Sequence, residues 1–363
     1  MTDVAAKTDV HDQDHGHHDH PAWVAHHFDN AEQQFDAGKL GMWIFLVTEV
    51  LFFSGMFCAY AMYRNRNPEV FQFCSQFLNA KLGAINTGIL LFSSLTMAWS
   101  VRAAQLRQNN LLVGLLGATL GCASMFLGVK SVEYAHKFSL GLLPGKMYVA
   151  QLAHPMHSDT PYLEYMMVIP AVLTALFALF YVYALVSGSK VKIRVAGPLL
   201  VAGLCFFGGI KLGGFLEDSH SDEGHAVAHV DHAHGADAAD DHAHESTSTA
   251  ADANLVVDGV SLVDVPVSPV HKVYVNHLES EIPNAKVNNQ GMAGLFFSIY
   301  YCMTGVHAVH IIGGMLVIVW LIVKAAREEF HSQYFGPVDN VGLYWHLVDF
   351  IWIYLFPLLY LIT

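Results

Sequence analysis

Residues 40–63 read LGMWIFLVTEVLFFSGMFCAYAMY, twenty-four residues in which Glu49 is the one charged side chain. At about 1.5 Å of rise per residue, a helix of that length reaches about 36 Å, enough to cross a hydrocarbon core of about 30 Å. Lipid offers no hydrogen bonds to a bare backbone, so such a run is stable in a membrane only as a helix or within a closed barrel. Six more apolar runs follow outward from it, at 82–105, 111–134, 162–186, 195–215, 292–323 and 341–362. The expected fold is all-α: a polytopic transmembrane helical bundle with seven spans.

Composition agrees with that reading. Of 363 residues, 54% are apolar and 13% charged, and the mean hydropathy is +0.38. A soluble domain carries about a quarter charged residues. An ordinary cytoplasmic enzyme and a disordered regulator are both excluded. A net charge of −13, with only 18 Lys and Arg, argues against a nucleic-acid partner. The first 39 residues hold acids and histidines without a continuous apolar core, so they are not expected to be a signal peptide. Five cysteines (Cys58, Cys74, Cys122, Cys205 and Cys302) form no Cys-x-x-Cys pair; four of them fall in spans. They read as buried small apolar residues rather than disulfides or thiolate metal ligands.

Seven spans put the termini on opposite sides. Basic residues flank or fill the links after the second, fourth and sixth spans: Arg102 and Arg107, then Lys190, Lys192 and Arg194, then Lys324 and Arg327. The positive-inside rule places these links and the N-terminus in the cytoplasm, N-in and C-out. Arg64, Arg66 and Lys81 weaken the contrast from the other side. Residues 1–38 then form a His/Asp-rich cytoplasmic tail, and residues 217–290 lie outside. That outer stretch holds fourteen Asp and Glu against two Lys. Its first half is low in complexity and too polar to fold alone. Val-rich alternation in 254–283 suggests a small β-hairpin. The loop offers His220, His225, His229, His232, His234, His242 and His244. Imidazoles beside carboxylates can hold Zn²⁺ or Cu²⁺. A solvated acidic linker explains the same composition, and the similar bias of the N-terminal tail favours the linker.

Ionisable groups inside spans are costly and each is a functional candidate. Glu49 sits mid-span, where a carboxylate must be neutral, paired or hydrated. Lys130 and Glu133 are three residues apart and read as a surface ion pair near the interface. His307 and His310 share a helix face; two imidazoles do not close a metal site, so an interhelical polar seam is the simpler reading. His346 and Asp349 are again three apart, and a hydrogen bond between them would neutralise both. Only three histidines lie well inside spans, too few for a haem-copper core. Gly114, Gly117 and Gly121, with Gly313 and Gly314, permit close helix approach.

Five segments carry a resemblance: KLGMWIFLVTEVLFFSGMFCAY from Lys39, INTGILLFSSLTMAWS from Ile85, FLGVKSVEYAHKF from Phe126, YYCMTGVHAVHIIGG from Tyr300 and YWHLVDFIWIYLFPLLY from Tyr344. In this order they resemble subunit III of the haem-copper oxidases, in particular that of cytochrome c oxidase. The resemblance spans about 190 residues and implies a subunit without a redox centre of its own. Haem and copper then reside in partner subunits. Subunits I and II are the implied partners, with phospholipid as a further ligand, in a bacterial inner membrane. The family's role is to stabilise the catalytic subunit and support proton uptake. Its motif polar positions fall on Glu49, Glu133, His307, His310, His346 and Asp349; none is expected to be catalytic.

Two departures stand out. The two N-terminal helices of the family's long form have no counterpart ahead of residue 39, which puts a standard lipid cleft in doubt. Residues 139–290 read as an insertion that carries two extra helices and the His-rich loop, leaving 39–138 and 291–363 for the family helices. A subunit III relative serving a quinol oxidase or nitric oxide reductase fits the same residues. A metal-cation transporter with a His-rich loop is a further alternative; it needs more intramembrane carboxylates and histidines than Glu49, His307 and His310.

Overall fold

The computed structural model describes residues 28, 30–147, 162–230 and 290–361. They form α1 (Ala31–Arg66), a short α2 (Pro68–Ser75), α3 (Ala80–Gln105), α4 (Asn109–Ser139), a 3-10 turn (Gly145–Met147), α5 (Tyr162–Val186), α6 (Lys190–Val230), α7 (Gln290–Ala326) and α8 (Gly336–Tyr360). No strand occurs among the described residues, and seven of the helices are long and apolar enough to cross a membrane. The fold is an all-α polytopic bundle. The hairpin expected in 254–283 lies outside the described residues.

Helix boundaries follow local chemistry. Asn30 caps α1 by accepting from the Gln33 amide at 2.7 Å. Asn79 caps α3 by accepting from the amides of Lys81 and Leu82. Both caps satisfy amides that have no partner inside the helix. Pro68 opens α2, where its missing N–H costs nothing. Helix α1 starts nine residues before the apolar run, because Glu32, Gln33, Gln34 and Asp36 tolerate helix outside lipid.

Helix α4 is the centre of the bundle and the most buried of the spans. It packs against α3, α6 and α7, while α8 lies against α1, α3 and α7. The contact between α4 and α6 is backbone against backbone. A Cβ on Gly128 would stand 2.2 Å from the Phe206 carbonyl oxygen, and one on Gly209 would stand 2.2 Å from that of Met125. Gly117 and Gly121 meet Pro198 and Cys205 along the same line. Small residues replace the hydrophobic drive that helices lack inside lipid. The close partner of α4 is thus a helix from 139–290.

Helix α1 buries Leu46, Phe53 and Tyr60, a stripe repeating every seven residues, and leaves Leu40, Trp43, Ile44, Val47 and Leu51 exposed. The cysteines correct one expectation. Cys74 is buried, Cys122 and Cys205 are half-buried, and Cys58 and Cys302 are exposed on the outward faces of α1 and α7. All five are free thiols. A thiol on a lipid-facing surface is as apolar as its surroundings and needs no burial.

Turns 106–108, 187–189 and 327–335 gather at the end of the bundle where α1 begins. The link between α1 and α3 and the 3-10 turn gather at the other end.

Candidate functional site

Polar side chains occupy the bundle interior in three groups. The first joins α1 to α7. His310 Nδ1 lies 2.8 Å from the Val306 carbonyl oxygen, and Nε2 lies 2.9 Å from Glu49 Oε2. A carbonyl only accepts, so Nδ1 carries a proton. The Nε2–Oε2 contact then holds one further proton, on either the carboxyl or the imidazole. Phe53 packs edge-on against the His310 ring at 5.1 Å between centroids, and the Tyr344 hydroxyl donates to the His310 carbonyl at 2.9 Å. Glu49 and His310 are each 18% exposed, on the outward side of this seam.

The second group corrects the surface ion pair expected from Lys130 and Glu133. Both are buried, and Lys137 joins them with its side chain 2% exposed. Lys130 Nζ donates to Glu133 Oε2 at 2.7 Å, and Lys137 Nζ donates to Oε1 at 2.8 Å. Tyr300 of α7 and Tyr360 of α8 also donate to Oε1, at 2.7 and 2.6 Å. One carboxylate therefore takes four donors from three helices. Lys130 also sits over the rings of Trp352, Tyr360, Tyr300 and Tyr134, at 4.7 to 5.7 Å. Ring faces and phenol oxygens offset the desolvation that an isolated buried charge suffers. Periodicity could not show this arrangement, because two of the donors come from helices more than 160 residues away.

The third group is the α8 pair. His346 Nδ1 bonds Ser94 Oγ at 2.6 Å across to α3, not Asp349. Asp349 is 2% exposed, and its carboxyl oxygens make no hydrogen bond with described residues. Three residues along a helix brings two side chains onto one face, but a hydroxyl on the facing helix offers straighter geometry than a neighbour on the same helix. His307 likewise does not share the partner of His310. It is fully buried, stacks on Trp352 at 5.3 Å and leaves both ring nitrogens without a hydrogen bond among the described residues.

Neutral bonds tie the remaining seams. Trp345 Nε1 donates to Ser93, Trp352 Nε1 donates to Thr87, and Thr96 meets Thr119 at 2.8 Å. Tyr134 meets the Thr304 hydroxyl. At the far end of α4, Glu217 of α6 approaches His136 and the amide of Asn79.

No group of three or more His, Cys, Asp or Glu placed to hold a metal ion occurs among the described residues. His232, His234, His242 and His244 lie outside them. His220, His225 and His229 fall on the backbone of α6, and their side chains are not described.

The fold and its buried polar seams define a multi-pass membrane protein with no extended water-soluble domain among the described residues. Residues 274–363, which contain α7 and α8, match the family model for cytochrome c oxidase subunit III. Through this C-terminal segment the chain is similar to the haem-copper oxidase subunit III family. It is 40% identical over 70 residues to cytochrome c oxidase subunit 3 of Thermostichus vulcanus, covering 19% of this chain and 35% of that one. It is 39% identical over 71 residues to the heme-copper oxidase subunit I+III of Aeropyrum pernix, covering 19% of this chain and 9% of that one. A probable cytochrome c oxidase subunit 3 of Mycobacterium tuberculosis is 35% identical over 65 residues, 18% of this chain and 32% of the relative. The matched stretch thus spans about a third or less of each of these relatives. No solved structure matches. His307, His310, His346 and Asp349 fall within residues 274–363; Glu49 and Glu133 precede them.

Proposed function

We propose that the chain is the non-redox subunit III of a cytochrome c oxidase, a terminal oxidase of aerobic respiration. Its partners are then subunits I and II, and the haem and copper sit in those partners. Its work is to hold the catalytic subunit in shape and to support proton uptake, with lipid at its outward faces. The observation that carries this reading is the Glu49–His310 contact. It joins two segments of the family resemblance, one inside the matched region and one more than 200 residues before it, through side chains that share a proton. Glu49, Glu133, His307, His310, His346 and Asp349 serve as proton-linked or interhelical polar groups on this reading, and none is a catalytic residue. The basic links at the α1 end support, by the positive-inside rule, a cytoplasmic side for that end in a bacterial inner membrane.

Deletion of the chain tests the role. The expected result is a core that keeps its haem and copper and reduces oxygen at first, but loses activity faster during turnover. A deletion that leaves every oxidase property untouched contradicts it. A quinol oxidase or nitric oxide reductase partner is distinguished by subunit II: a copper-binding Cys-x-x-x-Cys motif in a neighbouring reading frame favours cytochrome c as donor.

A further inference from the structure

Three side chains deep in the bundle keep polar atoms that bond to nothing among the described residues. They are both amide atoms of Asn86 on α3, both ring nitrogens of His307 on α7 and both carboxyl oxygens of Asp349 on α8. The three residues are 1%, 0% and 2% exposed. Burial of such atoms without a partner is costly, and three of them in one membrane bundle ask for a common cause.

Trp352 brings the three into one region. Its Nε1 donates to the Thr87 hydroxyl at 3.1 Å, and Asn86 precedes Thr87 on α3. His307 stacks on the indole at 5.3 Å between centroids. Asp349 lies one turn before Trp352 on α8, about 4.5 Å along the helix. Phe126 of α4 packs edge-on against both rings, at 4.8 Å from Trp352 and 5.8 Å from His307. The Ser94 hydroxyl stands near Asp349 but is held by His346 Nδ1 at 2.6 Å.

The chemistry of these atoms selects the ligand. An amide offers donors and an acceptor, a neutral imidazole offers one of each, and a carboxyl accepts. Water donates and accepts, so it answers every one of them, and a buried water takes about three such bonds. A metal cation is disfavoured by Lys130, whose Nζ stands 4.7 Å from the Trp352 ring centre. The Glu133 cluster adds to that, with two ammonium groups against one carboxylate. An anion would meet the Asp349 carboxyl. We propose that the region around Trp352 is a binding site for ordered water, held by Asn86, His307 and Asp349 and bridging α3, α7 and α8. The site lies within this chain and needs no oxidase partner.

The test uses the full-length protein in non-ionic detergent, exposed to brief X-ray pulses and read by peptide mass spectrometry. The pulses split water in place, and the radicals oxidise the nearest side chains, buried ones included. Phe126 should label several-fold faster than Phe297, an equally buried phenylalanine about 15 Å from His307 along α7. Asn86→Leu keeps the size and removes both amide atoms. With water bound, it should lower the unfolding midpoint and slow the labelling of Phe126, because His307 and Asp349 lose their bridge. In a dry core the same change deletes two unsatisfied atoms and raises the midpoint. His307→Phe gives the same comparison if Asn86→Leu does not fold. The proposal is overturned if Phe126 labels no faster than Phe297, or if either variant folds with a raised midpoint.

Discussion

Glu49 of α1 and His310 of α7 meet at 2.9 Å through Oε2 and Nε2, while the other imidazole nitrogen is committed to the Val306 carbonyl. The contact therefore holds one proton whose position between acid and base is not fixed by any other bond. Glu49→Gln keeps the size and lets an amide donate to a neutral Nε2. We expect the variant to assemble with an unchanged haem spectrum and most of its oxygen-reduction activity, measured polarographically on the purified complex. Proton uptake under load is where a loss should show. Abolished steady-state turnover in a fully assembled complex would make Glu49 essential to electron transfer and contradict the reading.

Glu133 takes donors from Lys130, Lys137, Tyr300 and Tyr360. Glu133→Gln leaves two buried ammonium groups without their carboxylate, a change that costs about 3–5 kcal/mol. The expected result is a large fall in the unfolding midpoint, or failure to accumulate in the membrane. Adding Lys137→Met should recover part of the loss, because it removes one of the stranded charges. Tyr360→Phe deletes a single donor and should cost about 1–2 kcal/mol. A Glu133→Gln protein as stable as the parent would mean that the cluster is hydrated rather than closed.

Gly128 and Gly209 set the distance between α4 and α6. An alanine at either position meets a backbone carbonyl that cannot turn aside, so the helices must part. We expect Gly128→Ala to cost about 1–3 kcal/mol or more. Gly114→Ala, with nothing within 4 Å of its Cβ, should be neutral or slightly stabilising. Thermal unfolding of the two proteins side by side decides it. Equal midpoints would separate α6 from α4.

Cys74 lies on α2, outside the spans, and is fully buried. Burial pushes its thiol up to about 12. The thiolate is the reactive form, so reactivity is suppressed below that value and rises with pH toward it. At pH 8 roughly one thiol in ten thousand is ionised. N-ethylmaleimide should leave Cys74 unmodified in the folded protein at pH 8 and label it after denaturation, as read by peptide mass spectrometry. Rapid labelling of the folded protein would show that Phe71 and its neighbours on α2 do not pack against Phe296.

The spans were legible because the bilayer imposes length and apolarity together, as in 40–63. Gly117 and Gly121 were legible as close-approach positions on α4, but Gly114 faces open space, and Gly128 and Gly209, which meet backbone carbonyls, did not stand out from spacing. Helix α2 was not, since eight residues starting at Pro68 carry too little periodicity to stand out. Within the candidate site, spacing identified Glu49, Glu133 and His310 as costly groups but not their partners. Lys137 joins Glu133 one turn on, where the sequence offers no reason to call it buried. Ser94 takes His346 from the facing helix, a choice set by the rotation of α3 against α8. Spacing along one helix says which side chains share a face; it says nothing of what the next helix presents to that face.

We propose that this chain is a subunit of a haem-copper oxidase. Purification of the full-length, affinity-tagged chain from its native membranes under mild detergent tests it directly, with a reduced-minus-oxidised difference spectrum and copper analysis of the eluate. Haem and copper should co-elute in fixed proportion to the chain, on a partner protein and not on the chain itself. An intact chain that elutes without haem, while the oxidase of the same membranes remains assembled elsewhere, would contradict it.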